Sequence, residues 1–191
     1  MERSSWSSGF TLLETLMVLA ISAILMALAV PSMRNLIEGS GVVDSVNSFV
    51  GAISYARSEA LRRGLPVTLC RSVDAETSGT PACSADRYWE AGWMVFVDLD
   101  SNGVFEASQG DSLLRVQGAL SNRGTIVQGK REGGGSYASL RFRPTGTLKN
   151  GASTFTFDSP SDIVAARRRV CVSMVGRVRL ITNTETEVCS S

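Results

Sequence analysis

Arg177-Val178-Arg179 carries the spacing best suited to chemistry in this chain. On a β-strand alternate side chains share a face, so the two guanidinium groups would stand about 6.7 Å apart, with Val178 and Leu180 turned the other way. Phosphates along one nucleic-acid strand rise about 3.4 Å each, so two such forks can bracket them. A planar guanidinium also suits bidentate phosphate contact better than an ammonium does. Arg167, Arg168 and Arg169 precede the same segment, and Lys130, Arg131, Arg141 and Arg143 would extend the patch if they shared its face. The competing reading is a solvated polar strand that keeps a sheet edge from pairing with other chains.

The other constellations offer less. Asp98, Asp100, Asn102 and Gly103 match the first half of a calcium loop and Glu106 is acidic too, but the twelfth position is Gln109 where a bidentate Glu is required. The flanks read as strands, so a hairpin turn is the preferred reading and calcium stays an open alternative. Gly124 to Lys130 spells G-x-x-x-x-G-K, yet Arg131 stands where Ser or Thr should hold magnesium, and Thr125-Ile126-Val127 is strand-like. With no histidine, no Ser-x-x-Lys, no nucleophile elbow and no paired metal ligands, an enzyme finds little support, and no cofactor, metal or small-molecule substrate is expected. Cys70, Cys83, Cys171 and Cys189 form an even set that allows three pairings. Local loop closure favours Cys70 with Cys83 and Cys171 with Cys189, in an oxidising compartment.

These residues need elements to hold them. The chain has 191 residues, 43% of them hydrophobic, enough for one cored domain plus an extension. Its 19 basic and 18 acidic residues hide a gradient: residues 10–114 hold 6 basic and 12 acidic, net −6, whereas residues 115–191 hold 12 basic and 5 acidic, net +7. A polyanionic partner should meet the second part. Beyond Pro31, Leu36, Val43, Val46, Val50, Ile53, Ala56, Ala60 and Leu61 recur at helical spacing, with Arg57, Glu59, Arg62 and Arg63 on the other side. Gly64 and Pro66 stop that helix, and Gly39-Ser40-Gly41 is a weak point in it. From Leu65 the period shortens, and residues 67–69, 93–97, 112–116, 125–127, 139–143, 153–157, 170–174 and 177–181 read as strands of an antiparallel sheet. The expected fold class is α+β, with one long N-terminal helix packed on an antiparallel β-sheet head.

The first part of that helix stands apart. Residues 10–30 are interrupted by a single charge, Glu14, and span roughly 30 Å, enough to cross a bilayer. Arg3 ahead of them favours a cytoplasmic start. Ala27-Leu28-Ala29 satisfies the pattern of an ordinary secretory signal cleaved before Val30. Glu14 argues against that: a carboxylate in an inserting segment costs roughly 3 kcal/mol, so it is normally kept for a purpose and seeks a partner.

Gly9-Phe10-Thr11-Leu12-Leu13-Glu14 resembles the class III leader of type IV pilins and type II secretion pseudopilins. The resemblance implies that prepilin peptidase cuts after Gly9, that Phe10 becomes the N-methylated terminus, and that Glu14 serves assembly by meeting the Phe10 ammonium of a neighbouring subunit. Gly92-Trp93-Met94-Val95-Phe96-Val97-Asp98, Ser101-Asn102-Gly103 and Arg141-Phe142-Arg143-Pro144-Thr145-Gly146 resemble the GspH/FimT branch of these proteins. Gly176-Arg177-Val178-Arg179 is similar to the C-terminal GRxR element of FimT-type minor pilins, which is associated with DNA capture during natural transformation. On this resemblance residues 1–9 are a leader, 10–30 a transmembrane and filament-core helix, 31–64 its amphipathic half, and 65–191 a periplasmic or extracellular β-rich head. The implied life history starts in the bacterial inner membrane, single-pass with the head in the periplasm, and ends in a pilus fibre or pseudopilus at the cell surface. The implied partners are major and minor pilins, prepilin peptidase and DNA. A type II secretion pseudopilin serving protein export and a tip adhesin are the alternatives.

Overall fold

Thr11 opens the long helix. Its Oγ1 accepts the Glu14 backbone N–H at 3.2 Å, an N-cap bond, and Glu14 lies in the first turn, where negative charge meets the positive end of the helix dipole. The helix, α1, runs Leu12–Arg63. The computed structural model describes residues 9, 11–121, 123–129, 139–182 and 189, without the side chains of residues 30 and 31. They fall into two compact units, Met1–Ile37 and Glu38–Ser191. In the first, large apolar side chains such as Leu12, Leu16, Leu19, Leu25 and Leu28 are exposed around the helix, which is long and apolar enough to cross a membrane.

In the second unit α1 is helical through Gly39, Ser40 and Gly41, where a weak point was expected. It stops as expected at Gly64, whose φ of +66° is the left-handed conformation that ends a helix, with its N–H on Ala60 O at 3.0 Å. The buried stripe is Val42, Val46, Phe49, Ile53, Ala56 and Ala60. This corrects the periodicity reading by rotating the core face: Val42 and Phe49 are inside, whereas Val43 and Leu61 are exposed. The largest ring sets the rotation. Phe49 lies 5.4 Å from Trp89, 5.2 Å from Trp93, 4.6 Å from Phe155 and 5.7 Å from Phe157, centroid to centroid. Pairs at such distances add about 0.5–1.5 kcal/mol each beyond the area they bury.

Eight strands follow: β1 (Val67–Arg71), β2 (Trp93–Val97), β3 (Ser112–Gln117), β4 (Thr125–Gln128), β5 (Ser139–Phe142), β6 (Ser153–Asp158), β7 (Arg168–Val172) and β8 (Val178–Ile181). They make two four-stranded antiparallel sheets, ordered β3-β2-β1-β5 and β4-β6-β7-β8, rather than the single sheet expected from sequence. Two sheets give the helix stripe two apolar faces. Trp93 comes from one and Phe155 and Phe157 from the other, and all three reach Phe49. The first sheet is covered on its second face as well, by Ala75, Cys83 and Phe105 packed on Cys70, Met94 and Phe96. Hence β1 and β2 are buried throughout and read as unbroken apolar runs. Cys70 is bonded to Cys83 and Cys171 to Cys189, each pair with Cα atoms 5.6 Å apart. Closing loops of 13 and 18 residues stabilises by about 3 kcal/mol each on the chain-entropy account.

The end of α1 is bound by charge. Arg62 Nη2 donates to Glu59 Oε2 at 2.7 Å and Arg63 Nε to the same oxygen at 2.6 Å. These bonds, Arg62 first, hold the Glu59 carboxyl down to about 2. A carboxyl depressed in the folded state contributes stability above its unfolded value of about 4.3 and loses it as pH falls through about 2. Glu59→Gln should therefore lower the melting temperature of the full chain in detergent at pH 7, and the gap to the parent should close between about pH 4 and pH 2. A gap that stays constant with pH would show that the two arginines do not act through this carboxylate.

Candidate nucleic-acid interface

The arginines singled out by sequence do not share one surface. Arg177 precedes β8 and belongs to the turn of the β7–β8 hairpin: Ser173 N–H donates to Arg177 O at 2.9 Å and Gly176 N–H to Ser173 O at 2.8 Å. Arg179 lies within β8 opposite Cys171, and Arg169 lies on β7 opposite Ile181. Paired residues of an antiparallel ladder share a face, so Arg169 and Arg179 stand on one face of the second sheet. The expectation of two arginines in register along one strand is thus corrected. A three-residue tip, Met174-Val175-Gly176, takes Arg177 out of the strand and into the rim of a groove against α1.

Several of the other cations are engaged. Arg167 is bonded to Asp158 through Nε and to Asp162 at 2.6 Å through Nη2, and the Asp158 bond foremost raises its pKa further. It is neutralised within the head and drops out of the expected patch. Arg168 Nη1 donates to Ala165 O at 2.9 Å and to Arg167 O at 2.8 Å. Arg143 Nη1 donates to Leu148 O at 3.1 Å. Arg141 Nη1 reaches Ser101 O at 3.0 Å and Asn102 O at 3.2 Å, and its Nε is buried without a partner among the described residues. Arg141 therefore supports the 98–106 turn and leaves the patch. Lys130, Arg131 and Phe10 lie outside the described residues.

That turn is not built for a cation. Asp98 is fully buried, and its Oδ2 accepts the Thr68 hydroxyl at 2.6 Å and the Gly103 N–H at 3.0 Å, while Oδ1 accepts the Asn102 N–H at 3.1 Å. Burial is the main cause that pushes the Asp98 carboxyl up. Asn102 Nδ2 donates to Asp100 at 2.8 Å and to Glu106 at 2.9 Å. Ser101 O accepts from Arg141 and, at 2.8 Å, from Lys149 Nζ. Oxygens that calcium would need already face N–H donors or ammonium and guanidinium charge. Among the described residues no cluster of three or more His, Cys, Asp or Glu could hold a metal. The G-x-x-x-x-G-K segment likewise contains β4, an ordinary strand through its variable positions.

Sequence reasoning missed the residue on which the two arginine-containing motifs converge. Arg57 of α1 donates from Nε to Gly146 O at 3.2 Å. Gly146 and Gly176 have φ of +75° and +74°. A Cβ on Gly176 would fall 2.5 Å from Gly146 O and 3.0 Å from Arg57 Nε, so the Arg141 to Gly146 and Gly176 to Arg179 elements approach as bare backbone over this side chain. Leu148 N–H donates to Met174 O at 2.8 Å and ties the two turns together. The only sequence signal for Arg57 was its place on the polar side of the helix. At the other end of the chain, Gly9 is exposed with open space where a Cβ would stand, and Glu14 is exposed on the first turn of α1.

The fold and its motifs have counterparts among known proteins. The family model described as Type II transport protein GspH matches residues 45–176, and that for the prokaryotic N-terminal methylation motif matches residues 7–30. The fold is similar to that of the type IV minor pilin FimU of Pseudomonas aeruginosa in two crystal forms. One matches with a TM-score of 0.52 at 18% identity, covering 80% of this chain and 93% of FimU. The other gives 0.50 at 18% identity, covering 76% and 93%. No curated protein matches the chain significantly.

Gly176→Ala would force a left-handed residue and a Cβ into the Gly146 carbonyl. It should cost about 1–3 kcal/mol, seen as a lower melting temperature of the full chain in detergent. An unchanged melting temperature would show that the two turns are not closely packed.

Proposed function

The chain belongs to the GspH family of pilin-like proteins, and from that premise we propose that it is a minor type IV pilin whose β7–β8 hairpin holds DNA during natural transformation. The family is one of pilins and pseudopilins, structural proteins that work by assembly. The methylation motif and the apolar segment of α1 mark a subunit anchored in a membrane and built into a pilus or pseudopilus. In this reading residues 1–9 are removed by prepilin peptidase after Gly9, and Phe10 is methylated. Residues 10–30 serve first as anchor and then as filament core, 31–64 carry the head, and 65–191 form it on the periplasmic side. Glu14 in an apolar surround is costly unless paired, and the Phe10 ammonium of the next subunit supplies the partner, so that the charge favours side-by-side packing. Other pilins are the assembly partners.

One observation carries the DNA reading. Arg177 and Arg179 are exposed on either side of half-buried Val178, at the tip and edge of a hairpin secured by a disulfide. Cations fixed on a rigid ribbon contact phosphates without reading bases, so binding should be salt-dependent and indifferent to sequence. The family model's own description favours a second reading, a pseudopilin of type II secretion. A deletion strain separates the two: loss of transformation fits the first, and loss of protein export with transformation intact fits the second.

Two measurements test the proposal. Intact-mass analysis of the chain purified from membranes should find a methylated Phe10 at the N-terminus, and a start at Val30 would refute the pilin processing. In gel-shift titrations the full chain in detergent should bind DNA, and replacing Arg177 and Arg179 with Gln should weaken it about tenfold. The salt dependence should become shallower by about 0.7–0.9 for each phosphate that is no longer neutralised. Unchanged affinity would overturn the DNA assignment and leave the assembly role standing.

A further inference from the structure

A groove of about 480 Å³ runs between α1 and the β7–β8 turn, lined by Val50, Ser54, Arg57, Ser58, Leu61, Gly176, Arg177 and Val178. We propose that this groove carries one phosphodiester backbone, with Arg57 of the helix as a DNA-contacting residue beside Arg177. The inference rests on the DNA reading above and extends it from a hairpin to a helix-walled channel.

The lining is basic and contains no carboxylate. Arg57 uses Nε on Gly146 O, and neither Nη1 nor Nη2 has a hydrogen-bond partner among the described residues. The side chain is held in place by the two glycine turns, so its fork points from a fixed base at little entropic cost. The Arg177 guanidinium has no hydrogen-bonding or ionic partner among the described residues, and the same holds for the Ser54 and Ser58 hydroxyls. Glu59, the nearest acidic residue in sequence, is engaged by Arg62 and Arg63 and offers no competing charge.

Dimensions agree with this occupant. From Val50 to Leu61 the helix rises about 16 Å at 1.5 Å per residue, long enough to follow more than one phosphate of a backbone laid along it. Ser54 and Ser58 lie one helical turn apart on the exposed face, where they can donate to phosphate oxygens. Val50, Leu61 and Val178 supply apolar wall between the polar groups, a suitable surface for sugar rings. Two free forks, two free hydroxyls and no anion are a poor match for a neutral ligand and a good one for a chain of evenly spaced negative charges.

The test uses the full chain in detergent and a labelled 30-residue oligothymidine. Arg57→Gln should weaken binding at least fivefold and lower the salt slope by about 0.7, the value for one phosphate of a single strand. Should Arg57→Gln unfold, Ser54→Asp with Ser58→Asp carries the test. Those exposed positions lie outside the core, and two negative charges there should weaken binding at least tenfold without moving the melting temperature. If folded forms of these variants bind like the parent while the Arg177 and Arg179 variant loses binding, DNA stays on the hairpin and the groove is refuted. If all of them, the hairpin variant included, bind like the parent, the DNA reading falls and the groove with it. A polyglutamate of equal charge that competes as well as unlabelled oligonucleotide would also overturn the proposal, because the groove would then be a site for acidic peptide.

Discussion

Phe49 is the constraint from which the head follows. Its ring meets Trp93 of the first sheet, Phe155 and Phe157 of the second, and Trp89 ahead of β2, so one residue of the helix couples two separate sheets. Once Phe49 is fixed, the rotation of α1 is fixed, since Val42, Val46, Ile53, Ala56 and Ala60 must then face inward. Arg57, eight residues on, turns about 80° away from Phe49 and lands at the rim of the core. There it meets the backbones of Gly146 and Gly176. A polar side chain at the edge of a packed stripe is held more firmly than one on an open helix, which is how an aromatic cluster comes to govern a basic surface.

Charge in the head is sorted by the same packing. The acidic residues are largely consumed by local structure: Asp98 by the 98–106 turn, Asp158 and Asp162 by Arg167, and Glu59 by Arg62 and Arg63. Arg141 and Lys149 do comparable work from the basic side, on Ser101 O. The net positive charge of residues 115–191 is therefore not spread evenly. What reaches the groove is the small set of cations with no acid or carbonyl to satisfy all their donors.

Much of this was legible in the residues, and the failures have physical causes. Period and punctuation located all eight strands, because short runs bounded by Gly, Asn, Asp and Pro leave little freedom. The split into two sheets was not legible, since strand order depends on contacts far apart in sequence. The helix face was misplaced by about one position because Val43, Val50 and Leu61 fit the same period as Val42, Phe49 and Ala60. At the site, Arg177 was expected inside the last strand, but β8 begins at Val178 and Arg177 falls in the turn of the hairpin. Arg167 and Arg141 were counted as surface cations because their partners, Asp158 and the carbonyls of Ser101 and Asn102, come from other segments. Glu14, by contrast, was legible as a lone charge in an apolar run, and the methylation-motif match covers that segment.

The bond between Cys171 and Cys189 also matters mechanically. β8 is an edge strand held to the sheet by four residue pairs with β7, and by itself it could be peeled away by a pull on the hairpin tip. The disulfide closes a covalent ring of 18-residue span that contains the tip and the whole of β8. Unzipping β8 would release slack only within that ring, after which the load passes into β7. That strand is paired on both sides, to β6 as well as β8, and yields only with the sheet. A tether gripped at Arg177 would thus pull on the interior of the domain rather than on its margin.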